Sequence, residues 1–371
     1  MKKIYVKGYY GFKNLGDDIF FLVSQYIFKT YLKNFEPIYI GVNLPKTDVK
    51  FKVYLPKSQL KRRLLEMKII FSVDYILYFG GSLFSSGGDN FKDIKYIFKK
   101  FKRFKNKLIS FGISVGPFES DENFQSTKKL FERFLYLGVR DKKSINYLEE
   151  MKINNQFALS FDNAILLRQM FPSLIKNTPF NANRKVIGIS LCKRESYENG
   201  DFSKEEQRIL SIENTLLQLI QINSDLELKF FVFNGSEQKG DLEITKEFYQ
   251  KFSKLVECEI YDYNLDTKTF LEKFTKVDFV FGVRLHSAVI AYTFDIPFIL
   301  VEYHSKCTEF LETINYDSKY DLENPGENAK KIDFMMRKPS ISDNIVKPGH
   351  YLDIIEEELI HLEKCLADGV E

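Results

Sequence analysis

At 371 residues the chain is longer than one hydrophobic core usually serves, and its 44% apolar residues supply core material for two domains of ordinary size. Lys and Arg number 54 against 51 Asp and Glu, and this net charge of +3 excludes a general nucleic-acid binder, so any electrostatic partner must be read locally. Cys192, Cys258, Cys307 and Cys365 stand far apart with no C-x-x-C pair, which excludes a zinc knuckle or a disulfide framework and fits a reducing cytoplasm.

The opening run MKKIYVKGYYGF is too short and too interrupted for a signal peptide and reads as a first β-strand. Further β-rich runs bounded by Gly, Asp or Pro follow at 37–42, 51–55, 73–79, 107–112, 136–140 and 156–160, with helical patterns at 19–32, 91–104 and 127–135 between them. After the breaker-rich segment 176–184, a second series of strands is expected at 185–191, 226–233, 257–261, 278–281 and 298–302, with a helix over 204–223. The alternation predicts an α/β protein of two Rossmann-like domains, over residues 1–175 and 185–335. Residues 336–371 form a C-terminal segment in which Leu352, Ile355, Leu359, Leu362 and Leu366 share one face of a closing helix. No apolar run reaches the roughly 20 residues that a bilayer span needs, so any membrane contact is expected to be peripheral.

In open parallel sheets, ligands bind where strand ends face a crevice, and the informative residues lie at such ends. The turn GYYGFKNLGDD (8–18) follows the first strand; its glycines at 8, 11 and 16 admit close backbone approach, and Asn14 and Asp17 sit where the loop faces the crevice. It lacks the dinucleotide G-x-G-x-x-G spacing, and Asp17 or Asp18 also reads as a helix cap. FGGSLFSSGG (79–88), with Gly81 and Ser82, and FGISVGP (111–117) are glycine-rich turns whose N–H groups can bind phosphate or sugar hydroxyls, or can simply serve tight strand-to-helix packing. Arg140 ends another strand, where its fork suits a carboxylate, a phosphate or a structural salt bridge, and Asp162 either orients it or touches substrate.

The segment VDFVFGVRLHSAVIAYTFDIPFILVEYHSK (277–306) is the most specific. Arg284, Leu285 and His286 end one apolar strand and Lys306 ends the next, which makes an anion pocket beside a helix N-terminus. The stretch 91–107 carries eight basic residues and one acidic one, with phenylalanines near helical spacing. It reads either as a membrane-surface helix or as a helix whose phenylalanines pack inward and leave a basic stripe outside.

Taken in order, GYYGFKNLGDD, FGGSLF, FGISVGP, GVRD with Ser144, SFDNA, FGVRLHSAVIA and Y-x-x-K at 303–306 resemble the polysaccharide pyruvyltransferase family over residues 8 to about 306. The resemblance implies a GT-B-like fold, phosphoenolpyruvate as donor, a cyclic pyruvate ketal formed on a sugar of a surface polysaccharide or its precursor, and no metal or redox cofactor. It further implies donor contacts at Arg140, Arg284, Leu285, His286 and Lys306, with acceptor contacts at Asn14, Gly16 and Asp17. His304 has no counterpart in the pattern, and residues 310–371 carry no transferable motif.

Such a reaction needs a proton for the donor's methylene carbon and a base for each attacking hydroxyl. His286 or Lys306 is the expected acid or phosphate-stabilising group and Asp17 the expected base, with Gly81 and Ser82 completing the cage around the donor. The expected partners are phosphoenolpyruvate and a saccharide acceptor, lipid-linked if the basic stretch rests on the inner membrane face; no nucleic-acid partner is expected. The competing readings are a GT-B glycosyltransferase using a nucleotide sugar, for which Glu302 and Glu309 stand one residue too close for E-x7-E, and a non-catalytic saccharide-binding protein.

Overall fold

The computed structural model describes the chain except residues 42, 46–51, 55–57, 89–92, 177–184, 194, 196–199, 237–239, 338–344 and 369–371. The described residues fall into two units: residues 1–12, 17–166 and 349–371 form the first, and residues 13–16 and 167–348 the second. The break thus lies at 166/167, the short segment 13–16 belongs with the second unit, and the last helix returns to the first. The interdomain linker expected at 176–184 falls, from residue 177, outside the described residues.

In the first unit the elements run β1 (Lys2–Lys7), α1 (Leu15–Thr30), β2 (Phe35–Gly41), β3 (Lys52–Tyr54), α2 (Gln59–Ser72), β4 (Tyr75–Phe79), β5 (Ser82–Phe84), α3 (Ile94–Lys100), β6 (Leu108–Val115), α4 (Asp121–Phe131), β7 (Phe134–Val139), α5 (Lys142–Glu150) and β8 (Gln156–Leu159). The strands are parallel in the order β3-β2-β1-β4-β6-β7-β8, with β5 added beside β6. Central strands of a parallel sheet are covered on both faces, and YILYF (β4) and LISFGISV (β6) are buried at every residue.

Phenylalanine fills much of the first unit's core. Phe84, Phe131 and Phe134 meet with ring centroids 5.0, 5.5 and 5.9 Å apart, each burial contributing about 1.5–3 kcal/mol. The helix expected at 127–135 instead spans 121–131, because Ser120 caps it early by accepting from the Asn123 N–H at 3.2 Å, and Phe134 already begins β7. The one expected at 91–104 shortens to α3 and a single 3-10 turn over Lys102–Phe104; residues 91 and 92 lie outside the described ones. Ile94, Ile97, Phe98 and Phe104 pack inward, while Phe101 stays half exposed.

The second unit runs α6 (Leu167–Met170), β9 (Lys185–Ser190), α7 (Phe202–Ile222), β10 (Leu226–Val232), α8 (Leu242–Phe252), β11 (Glu257–Asp262), α9 (Thr267–Phe274), β12 (Phe279–Gly282), α10 (Leu285–Thr293), β13 (Phe298–Leu300), α11 (Ser305–Thr313) and α12 (Pro325–Met336). Its parallel sheet has the order β11-β10-β9-β12-β13. The closing helix α13 (Pro348–Asp368) buries Ile355, Leu359, Leu362 and Leu366 as its spacing requires. In both sheets the order reverses beside the first strand, so the switch points lie between β1 and β4 and between β9 and β12.

Candidate active site

At the switch point of the second sheet, β9 ends at Ser190 and β12 runs out into Val283 and Arg284. The Val283 N–H donates to the Ser190 carbonyl at 2.8 Å and the Arg284 N–H to its hydroxyl at 3.3 Å, which fixes Arg284 at the crevice. Its guanidinium grips Asp241 in a fork: Nε donates to Oδ1 at 3.1 Å and to Oδ2 at 2.9 Å, and Nη2 also donates to Oδ1. Asp241 is fully buried, while the Arg284 side chain keeps 22% of its surface open. Burial pushes the Asp241 carboxyl up, and Arg284 together with the Asn234 N–H, which donates to Oδ2 at 3.0 Å, pulls it back. Asp241 thereby aims the arginine and leaves part of it accessible.

Leu285 and His286 form the first turn of α10, whose N-terminus carries a partial positive charge. Segment 13–16 lies against this turn's surroundings. Asn14 bridges Asn234, the Leu15 N–H donates to the Phe233 carbonyl at 2.9 Å, and the Gly235 N–H donates to the Lys13 carbonyl at 2.9 Å. The imidazole of His286 occupies the place where a side chain at position 16 would stand, which explains a glycine there.

Lys306 stands in the first turn of α11, after the neighbouring strand β13. His304 is the cap of that helix: its Nδ1 accepts from the Lys306 N–H at 3.0 Å, which requires an unprotonated Nδ1. A lysine in a first turn adds to the positive helix end instead of neutralising it, so this end attracts anions. The second unit therefore carries Arg284, His286 and Lys306 at the starts of two helices that follow adjacent strands.

A further arginine comes from the middle of the chain. Arg208 on α7 is 4% exposed, donates Nη1 to Glu195 at 2.9 Å and Nη2 to the other oxygen of the same carboxylate, and lies 5.8 Å from the ring centroid of Tyr303. The hydrogen bond from Arg208 holds the Glu195 carboxyl down at about 2. Cys192, electrostatically coupled to both arginines, is pushed up to about 12 by burial and stays a neutral thiol.

In the first unit the β1–β4 switch point carries the 8–12 turn and Gly80 and Gly81. Asp18 is fully buried and accepts from the Gly11 N–H at 2.7 Å, so it holds the turn, whereas Asp17 is half-buried. A Cβ at Gly81 (φ +74°) would lie 4.0 Å from Asp17 Oδ1, which puts the two together. Ser82 is exposed and opens β5, opposite Ser114. Arg140 is 8% exposed at the end of β7; its Nε donates to Ser114 Oγ at 2.7 Å and its Nη1 to the Asp162 carboxylate. Ser114 in turn donates to Asp141, the cap of α5, at 2.6 Å. Of the two readings of Asp162, orientation of Arg140 is the one this geometry displays.

Asp241, Ser190, Arg208, Glu195 and Ser114 were not visible as site residues in the sequence. Asp241 had a local signal, an acidic residue opening a helix after a breaker-rich turn, but nothing there ties it to Arg284, 43 positions away. Among the described residues no three His, Cys, Asp or Glu side chains gather as a metal site, and no helix is long and apolar enough to cross a membrane.

A family model described as polysaccharide pyruvyl transferase matches residues 14–305, from the segment against α10 to the start of α11. The chain belongs to the polysaccharide pyruvyl transferase family. Membership makes it a transferase acting on polysaccharide. No curated protein matches the chain. Solved structures similar to this pyruvyl transferase include MnaA of S. aureus in a structure with UDP, with 14% identity over 99% of this chain and 97% of that one and a TM-score of 0.64. The UDP-GlcNAc 2-epimerase of Methanocaldococcus jannaschii is 11% identical over 98% and 100% of the two chains, with a TM-score of 0.62. The trehalose-6-phosphate synthase OtsA is 11% identical over 99% and 98%, with a TM-score of 0.54. At such identities the likeness is one of fold, and it makes the transferase GT-B-like, with two Rossmann-like units.

Proposed function

We propose that the protein transfers the carboxyvinyl group of phosphoenolpyruvate to a sugar and closes it into a cyclic pyruvate ketal. The observation that carries this reading is the fork of Arg284 on buried Asp241 at the β9–β12 switch point, with His286 and Lys306 in the first turns of the helices that follow the adjacent strands β12 and β13. A small trianion bearing a carboxylate and a phosphate needs several cations at fixed spacing. One ion pair at 4 Å is worth roughly 4 kcal/mol at an effective dielectric near 20, before desolvation.

In the proposed reaction a proton adds to the methylene carbon, C2 becomes electrophilic, and one sugar hydroxyl attacks it and loses its proton to a base. The C2–O bond to phosphate then breaks, and a second hydroxyl of the same sugar attacks C2 and gives up its proton. The products are the ketal and inorganic phosphate. His286 or Lys306 supplies the first proton and steadies the leaving phosphate, and Asp17 is the base. Arg140, held by Asp162 and Ser114, is the donor contact we assign to the first unit, and Gly81 and Ser82 line the turn next to Asp17.

The test is incubation of the full chain with phosphoenolpyruvate and a saccharide acceptor, with phosphate release and the ketal methyl signal followed by NMR. Phosphate release coupled to the ketal is expected. Turnover of a nucleotide sugar in its place would establish the glycosyltransferase alternative.

We also infer peripheral contact with an anionic membrane at the cytoplasmic face, which suits a lipid-linked acceptor. On α2, Leu60, Lys61, Leu64 and Lys68 share one exposed face, and Lys100, Phe101, Lys102, Arg103 and Lys105 are exposed beyond Phe71, whose ring meets that of Phe101 at 6.2 Å. Apolar side chains among cations are what an anionic lipid surface takes up, each cation adding about 1 kcal/mol.

A further inference from the structure

We propose that a cavity at the strand ends of the first unit is a saccharide pocket, which holds the acceptor ring beside Asp17. The cavity measures about 270 Å³, room for one sugar ring. It lies where β1, β2 and β4 end, on the crevice side of the sheet, where ligands of such sheets bind.

Its lining has the chemistry of a polyol site. Tyr78 is 1% exposed, and its hydroxyl has no hydrogen-bond partner among the described residues. A buried hydroxyl in that state calls for a ligand or water to satisfy it. Around it, among the described residues, stand the cations Lys7, Arg62 and Lys95 and the carboxylates Glu66 and Asp93. Sugar hydroxyls both donate and accept, so a wall of mixed sign serves them, whereas a trianion would meet carboxylates it must avoid. The wall is braced: Lys7 is paired with Glu66, which also accepts from the Tyr5 hydroxyl at 3.2 Å, and Lys95 Nζ donates to the Leu83 carbonyl at 2.7 Å and to Ser86 at 3.0 Å. At the mouth Tyr9 and Phe12 are 61% and 47% exposed, aromatic surfaces on which the C–H face of a pyranose can rest.

The pocket adjoins the proposed base. The Asp17 carboxylate is close enough to Tyr9 to raise its pKa, after burial and Asp93, and Leu83 of the lining follows the Gly81 turn that approaches Asp17. A ring seated on Tyr9 would present hydroxyls toward Asp17. The name acceptor pocket rests on the proposed ketal transfer; the binding of a sugar does not.

The experiment uses the full chain with the methyl glycosides of glucose, galactose, mannose, N-acetylglucosamine and N-acetylmannosamine, followed by saturation-transfer NMR, with phosphoenolpyruvate binding measured separately by calorimetry. At least one glycoside is expected to bind. Tyr78→Phe, which removes a single hydrogen bond, should weaken it about three- to tenfold, and Tyr9→Ala on the exposed rim should weaken it at least as much, with phosphoenolpyruvate affinity unchanged. The pocket is refuted if no glycoside binds the parent, or if binding survives both substitutions undiminished. Sugar binding without any affinity for phosphoenolpyruvate would leave the pocket standing and remove the donor reading; the converse would do the opposite.

Discussion

Gly16 and His286 touch so closely that no side chain fits between them: a Cβ at position 16 would lie 2.2 Å from Nδ1 and 2.7 Å from Cε1 of the imidazole. The clash is with a side chain that can rotate, not with backbone, so Gly16→Ala should move the ring and leave the fold in place. Displacement of a catalytic group by about 1 Å can cost roughly a hundredfold in rate. Phosphate release from phosphoenolpyruvate should therefore fall about ten- to a hundredfold, with a melting temperature within a few degrees of the parent. An unchanged kcat would mean that the imidazole's position is irrelevant to turnover.

Arg284 and Asp241 are one unit, and removal of the arginine leaves the Asp241 charge stranded in a dry place. Arg284→Ala should abolish donor-dependent turnover and also lower stability by about 3–5 kcal/mol, since Asp241 is fully buried. Arg284→Met combined with Asp241→Leu should recover most of the stability in urea unfolding and none of the activity. Activity within tenfold of the parent in either variant would reject the anion-binding role.

Arg140 sits in a network with Ser114, Asp141 and Asp162, all buried. Asp162→Asn keeps the shape and removes the charge, so it should destabilise by about 3 kcal/mol in urea unfolding. If Arg140 also touches the donor, the same change should raise the KM for phosphoenolpyruvate several-fold, because the fork loses its orientation. A stability loss with KM unmoved would make Arg140 purely structural.

The strand ends were legible because the physics there is local: an apolar run such as FVFG must be a strand, and the RLH after it must fall at a β-to-α junction. The same logic located Arg140 and the Gly81 turn. Asp241 and Arg208 were not legible, since each meets its site only through sheet order, and a lone Asp or an Arg on a helix reads as solvated until the strands are placed. α2 was missed for another reason: QLKRRLLEMKIIFS carries Leu60 and Leu64 outward, which blurs the apolar face that sequence reading looks for. His304 had no motif to belong to, and its role as a helix cap depends on where α11 begins.

The outward face of α2 gives the membrane reading its measurable form. Leu60→Glu with Leu64→Glu replaces exposed apolar side chains and should leave stability within about 0.5 kcal/mol, as surface changes usually do. Flotation with phosphatidylserine vesicles should carry the parent upward at low salt and leave the variant at the bottom. Parent protein that stays down at low salt would end the peripheral-contact proposal, and so would flotation unaffected by the substitutions.

Glu358, on α13 in the first unit, provides a pH dependence with a definite sign. Its side chain is 7% exposed and accepts from the Tyr136 hydroxyl at 2.8 Å, and burial raises its pKa from 4.5 to about 7, with hydroxyl hydrogen bonds opposing. The folded state therefore binds this proton more tightly than the unfolded state does. Its stabilising contribution is full below pH 4.5 and is lost as pH rises through about 7. At one pKa unit per 1.36 kcal/mol, up to about 3 kcal/mol of stability should disappear between pH 5 and pH 8 from this group alone. Glu358→Gln keeps an uncharged acceptor for Tyr136 and cannot ionise, so the variant should melt higher than the parent at pH 8 and close to it at pH 5. Parallel melting curves for the two proteins across that range would show that Glu358 does not titrate there, and the closing helix would carry no pH sensitivity from this residue.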